Sequence, residues 1–482
     1  MKRTAAVFLL SLTAGIAAFA QKKVTISGTI ANASDPKIIL VNATNASIVP
    51  DNKQETVTLS PEGKFTISVP VTQKYNWIIM VNATRRLDFF VKEGAVLTLT
   101  ANGSGLDTTA HFEGNGSEVA EYFAIANRER GGLMGYYRRT QEAAAADPAR
   151  YKKAIDSVRM AEETIFRNTR IKGKELPKDF AAYWSVFLDY SVYDAMLHYP
   201  MMHEMIKQQT NNIQSVAPEL YEVTKKTPKV FKDDYLDMAF YQTYAQSYYS
   251  AMLTAVGFMN GNPQSETDRG KILQQTDSVL HLIYTTLPPK TGELAAGRII
   301  ATESKGWPDE VLEAKMAEYK KRYPKSANNA VLDNFIAETK KFDPGHPAVD
   351  FSFRTLEGKE MKLSDLKGKV VYMDFWASWC GPCKGEMPHA KEIKKHFEGK
   401  DVVFLYVSID EKEEAWKKGI EAMSISGVHT RTPGWSGDIA KLYQIQSVPS
   451  YFLIDKKGKF VTMRTPRPSQ SAELIKLIEG LL

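Results

Sequence analysis

The chain has 482 residues, 43% of them hydrophobic and 24% charged, a composition ordinary for soluble folded protein and giving no sign of disorder. Its formal charge of +6, from 62 Lys and Arg against 56 Asp and Glu, is small and evenly mixed, which excludes nucleic acid as the partner implied by charge. Only two cysteines are present, so no framework of structural disulfides holds the chain together, while its length suffices for about three domains.

Residues 1–20 carry Lys2 and Arg3, then an apolar run from Ala5 to Ala18, and end in Ala18-Phe19-Ala20. This pattern predicts a cleaved secretory signal peptide. The run is shorter than the roughly 20 residues of a spanning helix, so no stable membrane insertion is expected after cleavage.

From 21 to 115 the sequence alternates with period two, as in Val24-Thr25-Ile26, Lys64-Phe65-Thr66-Ile67-Ser68-Val69 and Val96-Leu97-Thr98-Leu99-Thr100. Turn residues at Ser60-Pro61-Glu62-Gly63 and Lys92-Glu93-Gly94 separate the runs, predicting an N-terminal antiparallel β-sandwich of about seven strands without a chemical constellation. From 116 to 342 the period becomes helical, over residues 150–171, 179–198, 234–259 and 267–286, which predicts an all-α middle domain. Met238, Tyr241, Tyr244, Tyr248 and Met252 share one helical face, and packed core explains them better than a ligand groove. Asp343-Pro344-Gly345-His346-Pro347, residues 343–347, reads as a linker.

Residues 348–482 alternate strands and helices in the manner of an α/β domain. The runs 370–376 and 402–409 are almost wholly apolar, as in parallel strands covered on both faces, with a crossover helix over 381–397 between them. A hairpin of 451–454 with 460–463 makes the sheet mixed, and 471–482 closes the domain as a helix. The Lys-rich stretch 391–400 reads as a solvated helix face.

Both cysteines stand in Phe375-Trp376-Ala377-Ser378-Trp379-Cys380-Gly381-Pro382-Cys383-Lys384, directly after the first of these strands. If Gly381 starts a helix, Cys380 sits at its cap, where unpaired backbone N–H groups and the macrodipole favour thiolate over thiol. Cys380 is thus the expected attacking sulfur, and Cys383, one turn on and within reach of a disulfide, the resolving one. Pro382 falls in the first turn, where its missing N–H costs nothing. Structural zinc would need further ligands, and His389, His396 and His429 have no finger-like spacing. Haem attachment would need His where Lys384 stands, and a purely structural bridge would constrain only a tiny loop. The pair therefore reads as a redox dithiol, with no metal or organic cofactor expected. Asp374 is the one carboxylic acid within the buried strand; burial raises its pKa and equips it to exchange protons near neutral pH.

Trp379-Cys380-Gly381-Pro382-Cys383, the upstream Asp374-Phe375-Trp376 and the downstream Val448-Pro449-Ser450 resemble the thioredoxin family across the whole last domain. The signal-like start, Cys383-Lys384-Gly385-Glu386-Met387-Pro388 and the extra residues 411–431 resemble its exported TlpA- and ResA-like branch. The regions ahead of it are similar to Bacteroidota envelope proteins that end in a thioredoxin domain. This resemblance implies a C-terminal thioredoxin fold in which Pro449 is a cis-proline facing the cysteines. A cis X-Pro bond is affordable there, and it would present Val448 backbone groups to an extended substrate segment. The alternative is a proline that merely opens an edge strand. The matching acid in thioredoxins assists the resolving cysteine, so Asp374 is the expected general base for Cys383; Glu386 is its rival or partner, or else a solvated helix charge. Trp379, Gly381, Pro382 and Val448 are expected to meet substrate, and Trp376 either walls the site or belongs to the core.

The implied activity is that of a periplasmic thiol:disulfide oxidoreductase acting on disulfide-containing protein substrates and recharged by a membrane electron donor of the DsbD or CcdA type. Its Gly-Pro dipeptide matches reducing thioredoxins, whose potential lies near −270 mV. Thiol peroxidases share the fold but usually carry Thr where Ala377 stands. The non-enzymatic alternative is an envelope peptide- or glycan-binding protein with an accessory thioredoxin domain.

Overall fold

The computed structural model describes residues 23–482 apart from 45–47, 49–53, 72, 83–84, 209–215, 257–268, 304–306, 308, 436, 446 and 463–464. The expected signal peptide, residues 1–20, lies outside the described residues. Two compact units result, one from the described residues up to 256 with Asp277–Ala296, the other from residues 269–276 with Gly297–Leu482.

The first unit opens with β1 (Lys23–Ala31), β2 (Lys37–Asn42), β3 (Gln54–Thr58), β4 (Lys64–Pro70), β5 (Tyr75–Val81), β6 (Arg86–Lys92), β7 (Val96–Asn102), the single turn α1 (Leu106–Thr109) and β8 (His111–Asn115). They form two four-stranded sheets, ordered β4-β1-β7-β8 and β3-β2-β5-β6. Period two sets the inward faces: Phe65, Ile67 and Val69 of β4 are buried, as are Leu97, Leu99 and Ala101 of β7. β6 is buried on both faces because it is covered twice. The Phe89 ring lies 4.7 Å from Phe112 of β8, while its neighbour Phe90 lies 5.0 Å from Phe123 on a helix.

One expectation is corrected here: the sandwich is not wholly antiparallel, because β1 and β7 pair in parallel from Thr25↔Val96 to Ala31↔Asn102. Alternation reveals a strand and its inner face but carries nothing about the direction of its partner. Only a tight hairpin forces an antiparallel pair, and no hairpin joins these two.

The helices that follow are α2 (Glu118–Arg130), α3 (Gly132–Ala143), α4 (Pro148–Asn168), α5 (Lys178–Gln208), α6 (Tyr221–Lys225), α7 (Ala239–Ala255), α8 (Arg269–Thr286) and α9 (Pro289–Glu303), with the short hairpin β9 (Arg170–Ile171) and β10 (Lys174–Glu175) before α5. Asp147 caps α4 by accepting the N–H groups of Ala149 and Arg150, each at 3.0 Å. α5 runs ten residues beyond the expected stop at 198, straight through Pro200. A proline removes one helical hydrogen bond, and packing outweighs that loss here. Tyr199 and Pro200 are buried, with the Tyr199 ring stacked 4.2 Å from Tyr151 and its hydroxyl donating to the Ala146 carbonyl at 2.7 Å. The tyrosine stripe of α7 is core: Tyr241, Tyr244 and Tyr248 are buried, with Tyr241 4.8 Å from Tyr190.

The second unit contains α10 (Asp309–Arg322), α11 (Asn328–Lys340), the hairpin β11 (Ser352–Arg354) and β12 (Glu360–Lys362), then β13 (Val370–Trp376), α12 (Gly381–His396), β14 (Val402–Ser408), α13 (Glu413–Met423), β15 (Val428–Arg431), α14 (Asp438–Leu442), β16 (Ser450–Ile454) and α15 (Ser471–Glu479). The sheet order is β15-β14-β13-β16, parallel except that β16 runs antiparallel to β13. Every residue of the central β13 is buried, as its unbroken apolar run requires. The expected hairpin partner of β16 is reduced to an isolated bridge, Ile454↔Phe460, and a bond from Val461 N–H to Leu453 at 2.9 Å; Met463 lies outside the described residues.

The segment 343–347 is tied down rather than free-running. Gly345 donates to the Phe460 carbonyl at 2.8 Å, Phe460 donates back to His346 at 2.9 Å, and the Phe342 ring lies 5.6 Å from Phe460. Proline and glycine mark a chain bend in sequence, but not the strand edge on which the bend settles. No described helix is long and apolar enough to cross a membrane.

Candidate active site

β13 ends at Trp376, and the next four residues turn the chain into α12. The turn is built around Asp410, at the end of the neighbouring strand. Its buried carboxylate accepts the Ser378 N–H at 2.9 Å, the Ser378 hydroxyl at 2.7 Å and the Ser408 hydroxyl at 2.8 Å. Cys380 then closes the turn by donating its N–H to Ala377 at 3.1 Å.

Cys380 is the N-cap of α12, in extended backbone conformation, and its Sγ accepts the Cys383 N–H at 3.1 Å. No acidic residue occupies the first turn. A donor and the positive end of the helix thus point at this sulfur, stabilising it once it is reduced to thiolate. The two cysteines form a disulfide with Cα atoms 5.3 Å apart. Cys380 keeps 4% of its surface exposed and Cys383 none, so an incoming sulfur reaches Cys380 alone. Gly381 and Pro382 are exposed beside it, and a Cβ on Gly381 would meet nothing within 4 Å. The approach to Cys380 is therefore open on that side.

Across the site the Val448–Pro449 peptide is cis, and the Val448 carbonyl oxygen stands 3.6 Å from the Cys380 Sγ. In the disulfide, that sulfur carries no proton, so this is a contact rather than a hydrogen bond. Both Val448 and Pro449 are half-buried.

Asp374 sits in β13 with Tyr406 opposite it on β14 and Tyr451 opposite it on β16. Among the described residues neither of its carboxyl oxygens has a hydrogen-bond partner, Cys383 included. Complete burial, and after it the negative charge of Glu386, push its pKa well above the ordinary 3.8. Glu386 itself is buried, accepting the Ser469 N–H at 2.8 Å and the Ser469 hydroxyl at 3.0 Å. The alternative of a solvated helix charge is thereby corrected: α12 turns this side chain inward against the segment that precedes α15. Trp376 is core, packed where a Cβ on Gly419 of α13 would come within 3.2 Å of its ring.

Two residues of the site went unnoticed in sequence. Asp410 had a usable signal, an acid directly after a buried parallel strand, at the carboxyl end where such sheets place their sites. Trp435 had none; it lies in a loop and comes to Trp379 only through the fold, ring centroids 6.1 Å apart. Asp410→Ala would strand the Ser378 and Ser408 donors together. It is expected to destabilise the second unit by about 3 kcal/mol, read as a lowered denaturant midpoint for that unit.

The comparisons with known proteins fall on this same unit. The AhpC/TSA family matches residues 344–463. The thiol-disulfide oxidoreductase ResA of Bacillus cereus is 34% identical over 131 residues, 27% of this chain and 75% of that protein. ResA of Bacillus subtilis is 30% identical over 141 residues, 29% of this chain and 78% of that protein. The solved thioredoxin domain of a thiol-disulfide oxidoreductase from Bacteroides vulgatus is 30% identical over 28% of this chain and 96% of that one, with a TM-score of 0.26.

Proposed function

The chain belongs, through its C-terminal part, to the family of the thiol-disulfide oxidoreductase ResA, and from that premise we propose that it is an exported reductase of disulfides in envelope proteins. The activity itself, thiol-disulfide oxidoreduction, comes with the family. The direction, compartment and partners are the proposal. The placement of Cys380 carries it: the accessible sulfur of the pair is also the one capped by a helix N-terminus.

In the reduced enzyme the Cys380 thiolate attacks one sulfur of a substrate disulfide, forming a mixed disulfide and expelling the other sulfur as a thiolate that takes a proton from water. Cys383 then gives up its proton to Asp374, with Glu386 as the rival acceptor, and its thiolate attacks Cys380. The enzyme disulfide forms and the second substrate sulfur leaves as a thiolate, which takes up the proton that Asp374 received. Two electrons pass from the dithiol to the substrate, so a donor must return two electrons and two protons; a membrane protein of the DsbD or CcdA type fits that need. The substrate strand runs along Val448 and cis-Pro449, pairing with backbone groups and so remaining permissive about sequence. Trp379, Gly381 and Pro382 complete the contact surface.

The proposal of export rests on the signal-like residues 1–20, and it takes the regions ahead, read as 21–115 and 116–342, as those of an envelope protein like the Bacteroidota proteins they resemble. Equilibration of the Cys380-Cys383 pair against glutathione tests the direction of electron flow. A midpoint near −270 mV is expected, and one above about −150 mV would reject the reductant role.

A further inference from the structure

We propose that Trp435 determines substrate specificity: with Trp379 it forms an aromatic platform beside Cys380 that takes an apolar or aromatic side chain flanking the disulfide cysteine of a partner protein. This rests on the disulfide-reductase reading and names the substrate class that reading leaves open.

The chain has seven tryptophans. Trp77, Trp184, Trp307, Trp376 and Trp416 are buried, whereas Trp379 and Trp435 are 58% and 44% exposed. The two exposed indoles stand against each other, centroids 6.1 Å apart and planes inclined by 59°, with Trp379 adjacent in sequence to the attacking sulfur. Scattered exposed apolar side chains need no explanation, but a contiguous pair of the largest ones at a reactive centre marks a surface made to be covered.

The platform is also held in place. Thr432 donates its N–H to Ser408 at 2.8 Å and Gly434 donates to Ile409 at 3.2 Å, so the loop carrying Trp435 is bonded to the strand end that supplies Asp410. Gly434 takes a positive φ of 70°, which brings Trp435 round, and a Cβ there would crowd Glu411 at 3.3 Å. The same strand end fixes Ser378 on the other side through Asp410. The backbone on either side of the indole pair is thus fixed before substrate arrives, which lowers the ordering cost of binding. A substrate segment that lies along Val448 with its cysteine at Cys380 brings the residue next to that cysteine over these rings. Burial and ring contact there favour a Phe or Leu over a Ser by about tenfold.

The test uses the full chain and two peptide disulfides identical except for Phe or Ser beside one cysteine. The wild-type protein is expected to prefer the Phe peptide in kcat/KM by about tenfold. Trp435→Ala should cut that ratio by roughly fivefold, and Trp435→Phe should restore most of it. The ratio is blind to a general loss of catalysis or folding, and Trp435→Gln replaces the alanine variant if the latter does not fold. An unchanged ratio, or equal use of both peptides by the wild type, overturns the platform. Failure of the wild type to reduce either peptide instead overturns the reductase reading beneath it.

Discussion

Cys380→Ser is expected to lose reduction of insulin by at least about 10³-fold, while Cys383→Ser is expected to stall as a covalent adduct with its protein substrate. Only one sulfur of the pair meets solvent, and that sulfur is the cap of α12, receiving the Cys383 N–H at 3.1 Å. Serine at 380 keeps the cap but supplies an alkoxide that cannot form at neutral pH, so no first bond is made. Serine at 383 leaves the first bond intact and removes the displacing sulfur, so the mixed disulfide persists. Non-reducing electrophoresis and intact mass of the two variants, incubated with oxidised insulin, distinguish the roles. Adducts on Cys383 in the Cys380→Ser protein, with none on Cys380 in the reciprocal variant, would invert the assignment. Equal turnover by wild type and Cys380→Ser would leave the peptide- or glycan-binding alternative in its place.

The parts of this fold that were readable in sequence are those whose signal is local. β13 could be read because seven consecutive buried residues need cover on both faces, and α12 because Cys380, Pro382 and the following pattern are features of a single helix start. What sequence left hidden depends on partners far along the chain. β1 meets β7 across five intervening strands, so its parallel pairing leaves no mark in either segment. α5 survives Pro200 because Tyr151, nearly fifty residues upstream, stacks on Tyr199. Asp410 reaches Ser378 across 32 residues, and Ser469 reaches Glu386 across 83. The same limit separates the two tryptophans: Trp379 announced itself beside a cysteine, whereas the significance of Trp435 exists only once its loop is bonded to Ser408 and Ile409.

Asp374→Asn is expected to slow the second step, release of substrate from the mixed disulfide, by about 10²-fold near neutral pH, and to change the pH dependence of stability in a direction that can be fixed in advance. The Asp374 carboxyl is buried without a hydrogen-bond partner among the described residues, and burial followed by the Glu386 charge raises its pKa well above 3.8. In the unfolded chain the same group titrates in the ordinary carboxylate range. Between that range and the raised folded value, the folded protein holds a proton that the unfolded chain has released. Stability therefore falls as pH rises through this window, the reverse of a salt-bridged aspartate. Asparagine has no such proton, so its contribution stays flat, and the variant gains on the wild type progressively as pH climbs. Hydrogen exchange of the β13 amides, followed from about pH 5 to about pH 9, reads the difference where it arises. Parallel profiles for the two proteins would sink the assignment of Asp374 as a buried carboxyl whose raised pKa makes its ionised form the stronger base toward Cys383. Glu386→Gln supplies the second arm. Losing that charge relieves one of the two causes that raise the Asp374 pKa, so it should narrow the window of falling stability while leaving its sign. A release step slowed more by Glu386→Gln than by Asp374→Asn would make Glu386 the acceptor of the Cys383 proton, because a group that merely tunes its neighbour cannot cost more than the neighbour itself.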